Sequence, residues 1–226
     1  MRIKRVFPLI LLAVIWGCYF VASQRAVSEM SVFTVGIAIR FLTMILLSIK
    51  MAGQGKLKLL LHTRKVLLRL LVIGCLGFLL DLTAFIGLTL SPAGSGTALL
   101  KCDVIFVNLI SAIIYKEKFA KLDWVYTIVM LFGVFLVMGI DFSEFALASM
   151  GNLFFILSAL FVSINAFVIK SVQVDQDNPL DNDVIAYYNN FITMILFTVT
   201  SMAMGTIGEL SVLMTNKGLL SSTLLA

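Results

Sequence analysis

Seven runs of about twenty apolar residues follow one another along this 226-residue chain, at roughly 6–24, 32–50, 67–90, 95–115, 123–141, 150–171 and 184–205. Each is long enough to cross a hydrocarbon core about 30 Å thick. No water is available there to bond the backbone, so each run must satisfy its own amides, as a helix does. The sequence therefore predicts an all-α polytopic membrane protein with seven complete spans plus a partial eighth. That eighth run begins near Gly218 and has only nine residues, about 13 Å of helix. Composition agrees: 61% of residues are hydrophobic and 13% charged, where soluble domains carry about a quarter charged. No soluble domain has room to stand alone, and no cleavable signal peptide is expected, because the first apolar run lacks a small-residue cleavage site.

The charges orient the chain. Of 17 Lys and Arg, thirteen fall in alternate loops with the N-terminus: Arg2, Lys4, Arg5, Lys50, Lys56, Lys58, Arg64, Lys65, Arg69, Lys116, Lys118, Lys121 and Lys170. Only Arg25 and Lys217 fall on the other side. An excess of basic residues marks cytoplasmic loops, so the N-terminus is expected inside, in a multi-pass cell (inner) membrane. A pI near 9.2 would suit nucleic acid, but these charges lie between spans and serve orientation. No nucleic-acid partner is expected. The partners are the lipid bilayer and a small-molecule substrate, and a homodimer is compatible with the sequence. Gly53 to Lys65 reads as a small interfacial helix, and Val174 to Asp183, with four Asp and one Pro, as a solvated loop.

A phrase is repeated. Phe41 to Ile49 reads FLTMILLSI and Phe191 to Val199 reads FITMILFTV, five of nine identical at an offset of 150. A weaker match lays Ala13 on Ala159 and Gly17 on Ser163, at an offset of 146. Five crossings separate the copies, and an odd number hands the second copy to the opposite side. Inverted five-helix repeats are the expected architecture, the first at 1–145 and an incomplete second at 146–226. Secondary transporters are commonly built this way. In the overlay Arg40 falls on Asn190.

Four ionisable residues lie within spans: Arg40, Asp81, Lys101 and Asp103. Each costs about 2.5–3.5 kcal/mol at a helix centre, so mutual pairing is expected, and the four charges sum to zero. Counting along the helices at about 1.5 Å per residue puts all four in one layer roughly 10–13 Å below the outer boundary. Residues 101 and 103 point about 200° apart on a helix. Lys101 and Asn108 are therefore expected to line a cavity, and Asp103 to pair sideways with a neighbouring helix. Charges within membrane spans more often serve a substrate or ion pathway than helix register.

Other features carry less. Cys18, Cys75 and Cys102 lie in apolar spans without metal or redox spacing, and the 11 Met read as packing residues. Gly94-Ser95-Gly96 lacks the spacing of a nucleophile elbow, and Ser91-Pro92-Ala93-Gly94 reads as a tight outer turn. His62 is the only histidine and lies in a basic loop. Gly74, Gly77, Gly133 and Gly139 allow close helix approach, and Asn165, Asn189 and Asn190 bond between helices or line the cavity. No metal, cofactor or catalytic residue is expected.

Trp16-Gly17-x-x-Phe20, Arg40-Phe41, Thr97-Ala98, Ile114-Tyr115-x-Glu117-Lys118 and Gly133-Val134, followed by Gly151-Asn152-Leu153 through Val172, resemble the EamA-type transporters of the drug/metabolite transporter (DMT) superfamily. The resemblance covers essentially the whole chain. It implies an inner-membrane carrier of ten helices in two inverted five-helix domains, working by alternating access and exporting amino acids, other metabolites or drugs. Glu117 matches the family's acidic residue at the cytoplasmic end of span four. Relatives often carry Pro where Asn108 stands and lack Lys101 and Asp103, and this chain ends two and a half helices early, as a truncated member would. The expected function is secondary transport, outward, of a small polar or charged metabolite such as an amino acid. Arg40 and Lys101 are the expected anion contacts, Trp16, Tyr19 and Asn108 the cavity walls, and Asp81 and Asp103 the counter-ions or proton-coupling carboxylates. The competing readings are a truncated fragment that carries nothing, a membrane-embedded enzyme without a visible catalytic constellation, and a seven-helix receptor, which the basic loops oppose.

Overall fold

The computed structural model describes residues 3–114, 116, 121–137, 150–175 and 179–211. Among these there are eight α-helices and no strand: α1 (Ile3–Glu29), α2 (Val32–Gly53), α3 (Leu67–Leu90), α4 (Ala93–Leu100), α5 (Asp103–Ile114), α6 (Lys121–Val137), α7 (Met150–Gln173) and α8 (Asn182–Ala203). Two short 3-10 turns, Lys56–His62 and Arg64–Val66, link α2 to α3 where the sequence suggests an interfacial helix. Among the described residues five segments can cross a membrane by length and composition: Val32–Gly53, Arg64–Leu90, Ala93–Ile114, Met150–Gln173 and Asn182–Ala203. A shorter apolar stretch, Leu122–Gly133, lies in α6. The repeat boundary expected at 145/146, the partial span from Gly218, Gly139, Glu117 and Asp177 lie outside the described residues.

The fourth apolar run is not one continuous helix, as its length suggests. It breaks at Lys101–Cys102, where the amides of Lys101 and Cys102 donate to Ala98 O and Leu99 O three residues back. Gly94 and Gly96 weaken the helix leading into the break. The Thr97 hydroxyl also draws on the Ala93 and Gly94 carbonyls at 2.8 and 3.0 Å.

Helices α2 and α8 match one another landmark for landmark at the 150-residue offset. Their N-caps are Ser31 and Asp181, both extended, and each side chain accepts an amide of the first turn. Their C-caps are Gln54 and Met204, with cap amides bonded to residues two and four back in both. Gly55 and Gly205 follow at φ 68° and 71°, a left-handed position that glycine occupies without a Cβ clash. The repeat visible as nine letters thus extends structurally from Ser31–Gly55 to Asp181–Gly205. The two helices run antiparallel: Lys50 bonds Asp183 at one end, and Thr34 bonds Thr206 and Glu209 at the other. Gly36 lets the Phe197 ring lie directly on α2.

Helix α3 is the centre of the bundle and packs on α7, α8 and α1. Gly74 lies under Ile192, and Gly77 under Asn189 and Thr193. Phe155 of α7 fills the space left by Gly87 of α3 and Gly96 of α4. Phe85, Phe155 and Phe197 are the largest side chains fully removed from the surface, and Phe78 meets Phe197 edge-on at 4.8 Å. The outward faces stay apolar, as at Leu46, Ile49, Leu68, Ile113 and Ile128. That is the surface lipid wets, and in water it would be an association hazard.

Candidate functional site

Where α2, α3 and α8 meet, one guanidinium holds them together. Arg40 of α2 donates from Nε to Asp81 Oδ2 of α3 at 2.7 Å, and its Nη2 donates to the same oxygen. Its Nη1 donates to Asn190 Oδ1 of α8 at 2.6 Å. Asn190 Nδ2 in turn donates to Ala186 O at 2.8 Å, which fixes the amide with its oxygen toward Arg40. The Asp81 side chain is buried and that of Arg40 nearly so. Among the described residues three of the five N–H donors of the guanidinium are engaged, leaving two for a further acceptor.

The depth of this cluster follows from the antiparallel pair. Arg40 lies eight residues into α2 and Asn190 eight residues into α8, about 12 Å from opposite ends. Together these nearly fill a core about 30 Å thick, so the contact lies near mid-membrane. The Tyr19 ring is half-buried against the main core, and its hydroxyl lies within electrostatic reach of Arg40 and Asp81. Trp16 packs on Tyr19 and Phe20 with centroids 5.9 Å apart and is otherwise exposed.

The remaining expected site residues lie elsewhere. Lys101 is exposed at the α4–α5 break. Among the described residues the Asp103 side chain makes no hydrogen bond to a neighbouring helix, and its Oδ1 is buried without a partner, while the Val104 amide turns back to Lys101 O at 3.3 Å. Its neighbour on α7, Ser163, bonds the Asp103 backbone carbonyl at 3.0 Å. Asn108 Nδ2 donates to Thr127 of α6 at 3.2 Å. Among the described residues, no hydrogen bond or ion pair joins Lys101, Asp103 or Asn108 to Arg40 or Asp81.

Both ends of the bundle carry polar closures that charge counting alone does not reveal. The loop expected to be merely solvated is instead tied down: Lys50 bonds Asp183 at 2.5 Å, Lys56 bonds Asp181 at 2.8 Å, and Arg69 bonds Asp175 at 2.6 Å. Asp181 caps α8, so its carboxylate is already held at the place where Lys56 arrives. At the opposite end Glu209 accepts from the Ser31 amide at 2.8 Å and from the Thr34 hydroxyl at 3.0 Å. Burial raises the Glu209 carboxyl, but these donors outweigh it and hold the group below its usual range.

The first closure has a defined pH window. The hydrogen bond from Lys56 holds the Asp181 carboxyl below the usual carboxylate range, and the same bond raises Lys56. Its stability is therefore present above about pH 4 and is lost as pH falls through the lowered carboxyl value, and again as pH rises through the raised lysine. Thermal unfolding of Lys56→Ala is expected to show a small loss that is constant from about pH 5 to 9 and shrinks in high salt, since these groups are partly exposed to solvent. A loss that grows with salt would contradict the ion-pair origin.

No curated protein matches this chain. Residues 4–139, more than half of the chain, match the EamA-like transporter family. The chain belongs to that family of membrane transporters, within the drug/metabolite transporter superfamily.

Proposed function

We propose that this protein is a secondary transporter that works by alternating access, with inverted repeats, a five-helix first unit at 1–145 and an incomplete second at 146–226, and exports a small polar or charged metabolite such as an amino acid. The observation that carries the reading is the Arg40 guanidinium, buried near mid-membrane between α2, α3 and α8 with two N–H donors unspent. A charge in that place is costly and marks a pathway more often than a strut. A carboxylate matches the paired donors of a guanidinium. Asp81 then acts as the resident counter-ion, which an entering anion displaces and a proton neutralises. Tyr19 and Trp16 form the aromatic wall on the α1 side. Lys101 and Asn108, away from this cluster, form the second substrate contact on α4 and α5, and Asp103 is a second counter-ion.

The matched caps and antiparallel course of α2 and α8 support inversion of the halves. Seven crossings require α1 and α6 in addition to the five segments that meet the length and apolarity needed. The basic closure around Lys50, Lys56 and Arg69 then faces the cytoplasm of the inner membrane, with the N-terminus on the same side.

The test is uptake into proteoliposomes of the full chain across a panel of amino acids, with and without an imposed pH gradient. Wild type is expected to move at least one amino acid faster than empty vesicles and to respond to the gradient. Asp81→Asn is expected to lose the gradient response. If Asp81→Asn responds like wild type, Asp81 is not the coupling carboxylate. If no charged or polar solute moves, the transport reading fails.

A further inference from the structure

Two residues that occupy the same place in the two copies of the repeat touch each other. The offset that relates Ser31 to Asp181 and Gly55 to Gly205 also relates Arg40 to Asn190. Arg40 Nη1 and Asn190 Oδ1 are 2.6 Å apart. Under a two-fold operation a residue meets its own counterpart only on the axis, since anywhere else the rotation carries the two apart. The contacts on either side respect the same operation. Lys56 grips the α8 cap Asp181 at one end, and their counterparts Thr206 and Ser31 lie together in the closure at the other, where Thr34 donates to Thr206 O.

We propose that the Arg40–Asn190 contact lies on the pseudo-two-fold axis relating the halves, and that Asn190 is the positioning residue that holds the single guanidinium there. The proposal rests on the inverted-repeat transporter reading and deepens it. Arginine at both positions would set two cations against each other on the axis with one carboxylate, Asp81, between them. Asparagine on one side removes that repulsion and supplies an acceptor. Its orientation is locked by the bond from Nδ2 to Ala186 O. A guanidinium on the axis is equally distant from both faces of the carrier, so it meets substrate in the same way from either side. It also follows that either helix can supply the charge, because Asn190 and Asp81 bond the same guanidinium and position 190 therefore lies beside the carboxylate.

The experiment compares Arg40→Asn, Asn190→Arg and the double exchange in the purified full chain in lipid nanodiscs. Thermal unfolding needs no substrate. Each single exchange leaves the inventory unbalanced, the first with an unpaired buried carboxylate and the second with two cations, and is expected to lower the midpoint by roughly 5–15 °C. The double exchange restores one guanidinium, one amide and one carboxylate, and is expected to recover at least half of that loss. If the single variants do not fold, recovery of folded yield by the double exchange is the same readout. Losses that simply add would overturn the axis. In proteoliposomes with a solute that wild type carries, Asn190→Ala is expected to raise KM roughly tenfold with the maximal rate little changed, and an unchanged KM would overturn the positioning role. Recovery of stability in a chain that transports nothing would leave the axis standing and remove the transport reading. Transport by wild type with additive losses would do the reverse.

Discussion

Arg40→Ala is expected to cost the folded protein about 3–5 kcal/mol, because it leaves Asp81 charged, buried and without its cation. It also strips Asn190 of its donor, and an orphaned buried acceptor adds about 1–3 kcal/mol. Thermal or denaturant unfolding in detergent reads the loss directly. The informative partner is the double variant Arg40→Met/Asp81→Leu, which removes both charges and fills the space with apolar atoms. Replacing a buried ion pair in this way is often neutral or stabilising, so the double variant should regain most of the stability. It should nevertheless transport nothing, since the site then has neither an anion contact nor a counter-ion. Recovery of stability together with full transport would make the pair a strut and remove it from the site.

The pairing of Arg40 with Asp81 was legible because a lone charge in lipid is too expensive to leave unpaired, and the two residues count to one depth from the same side. The α2–α8 match was legible in nine letters, among which Phe41 and Phe191, and Ile45 and Ile195, face outward in both copies, although Ser31 and Asp181 share no letter and Gly55 and Gly205 look like ordinary turn residues until their backbones are seen. The break at Lys101 was not legible. Without proline, the choice between bonds to the third or fourth residue back depends on a free-energy difference too small for sequence to express. The clasp of Lys50, Lys56 and Arg69 on three aspartates was missed for another reason. A loop charge reads the same whether water or a neighbouring loop satisfies it, and only the packing of α2 and α3 beside the α7–α8 connection decides. Asn108 was assigned to a cavity by its helical face, and the structure adds a partner that phase alone does not name, the Thr127 hydroxyl of α6. Phase tells which residues share a side, and it takes the neighbour's position to say what that side touches.

Phe155→Ala is expected to be about as damaging as losing Arg40, at about 3–5 kcal/mol, and for an unrelated reason. Phe155 is fully buried and its ring lies where Cβ atoms on Gly87 and Gly96 would stand, 2.7 and 2.5 Å from the nearest ring carbons. It therefore keys α7 into α3 and α4 at once, and truncation opens a void facing two glycines that have no side chain to fill it. The reciprocal change, Gly87→Ala, should also destabilise, because the added methyl meets a ring wedged against Gly96 on its other side. Combined, the two changes should cost less than their sum, since the new methyl enters the space the ring has left. A purely additive result would mean that the helices re-space around each substitution rather than meeting through the ring. The cycle also separates packing from chemistry: the Phe155 variants should lose stability while the surviving folded fraction keeps its KM, because the ring lies between α3, α4 and α7 rather than against the guanidinium on α2.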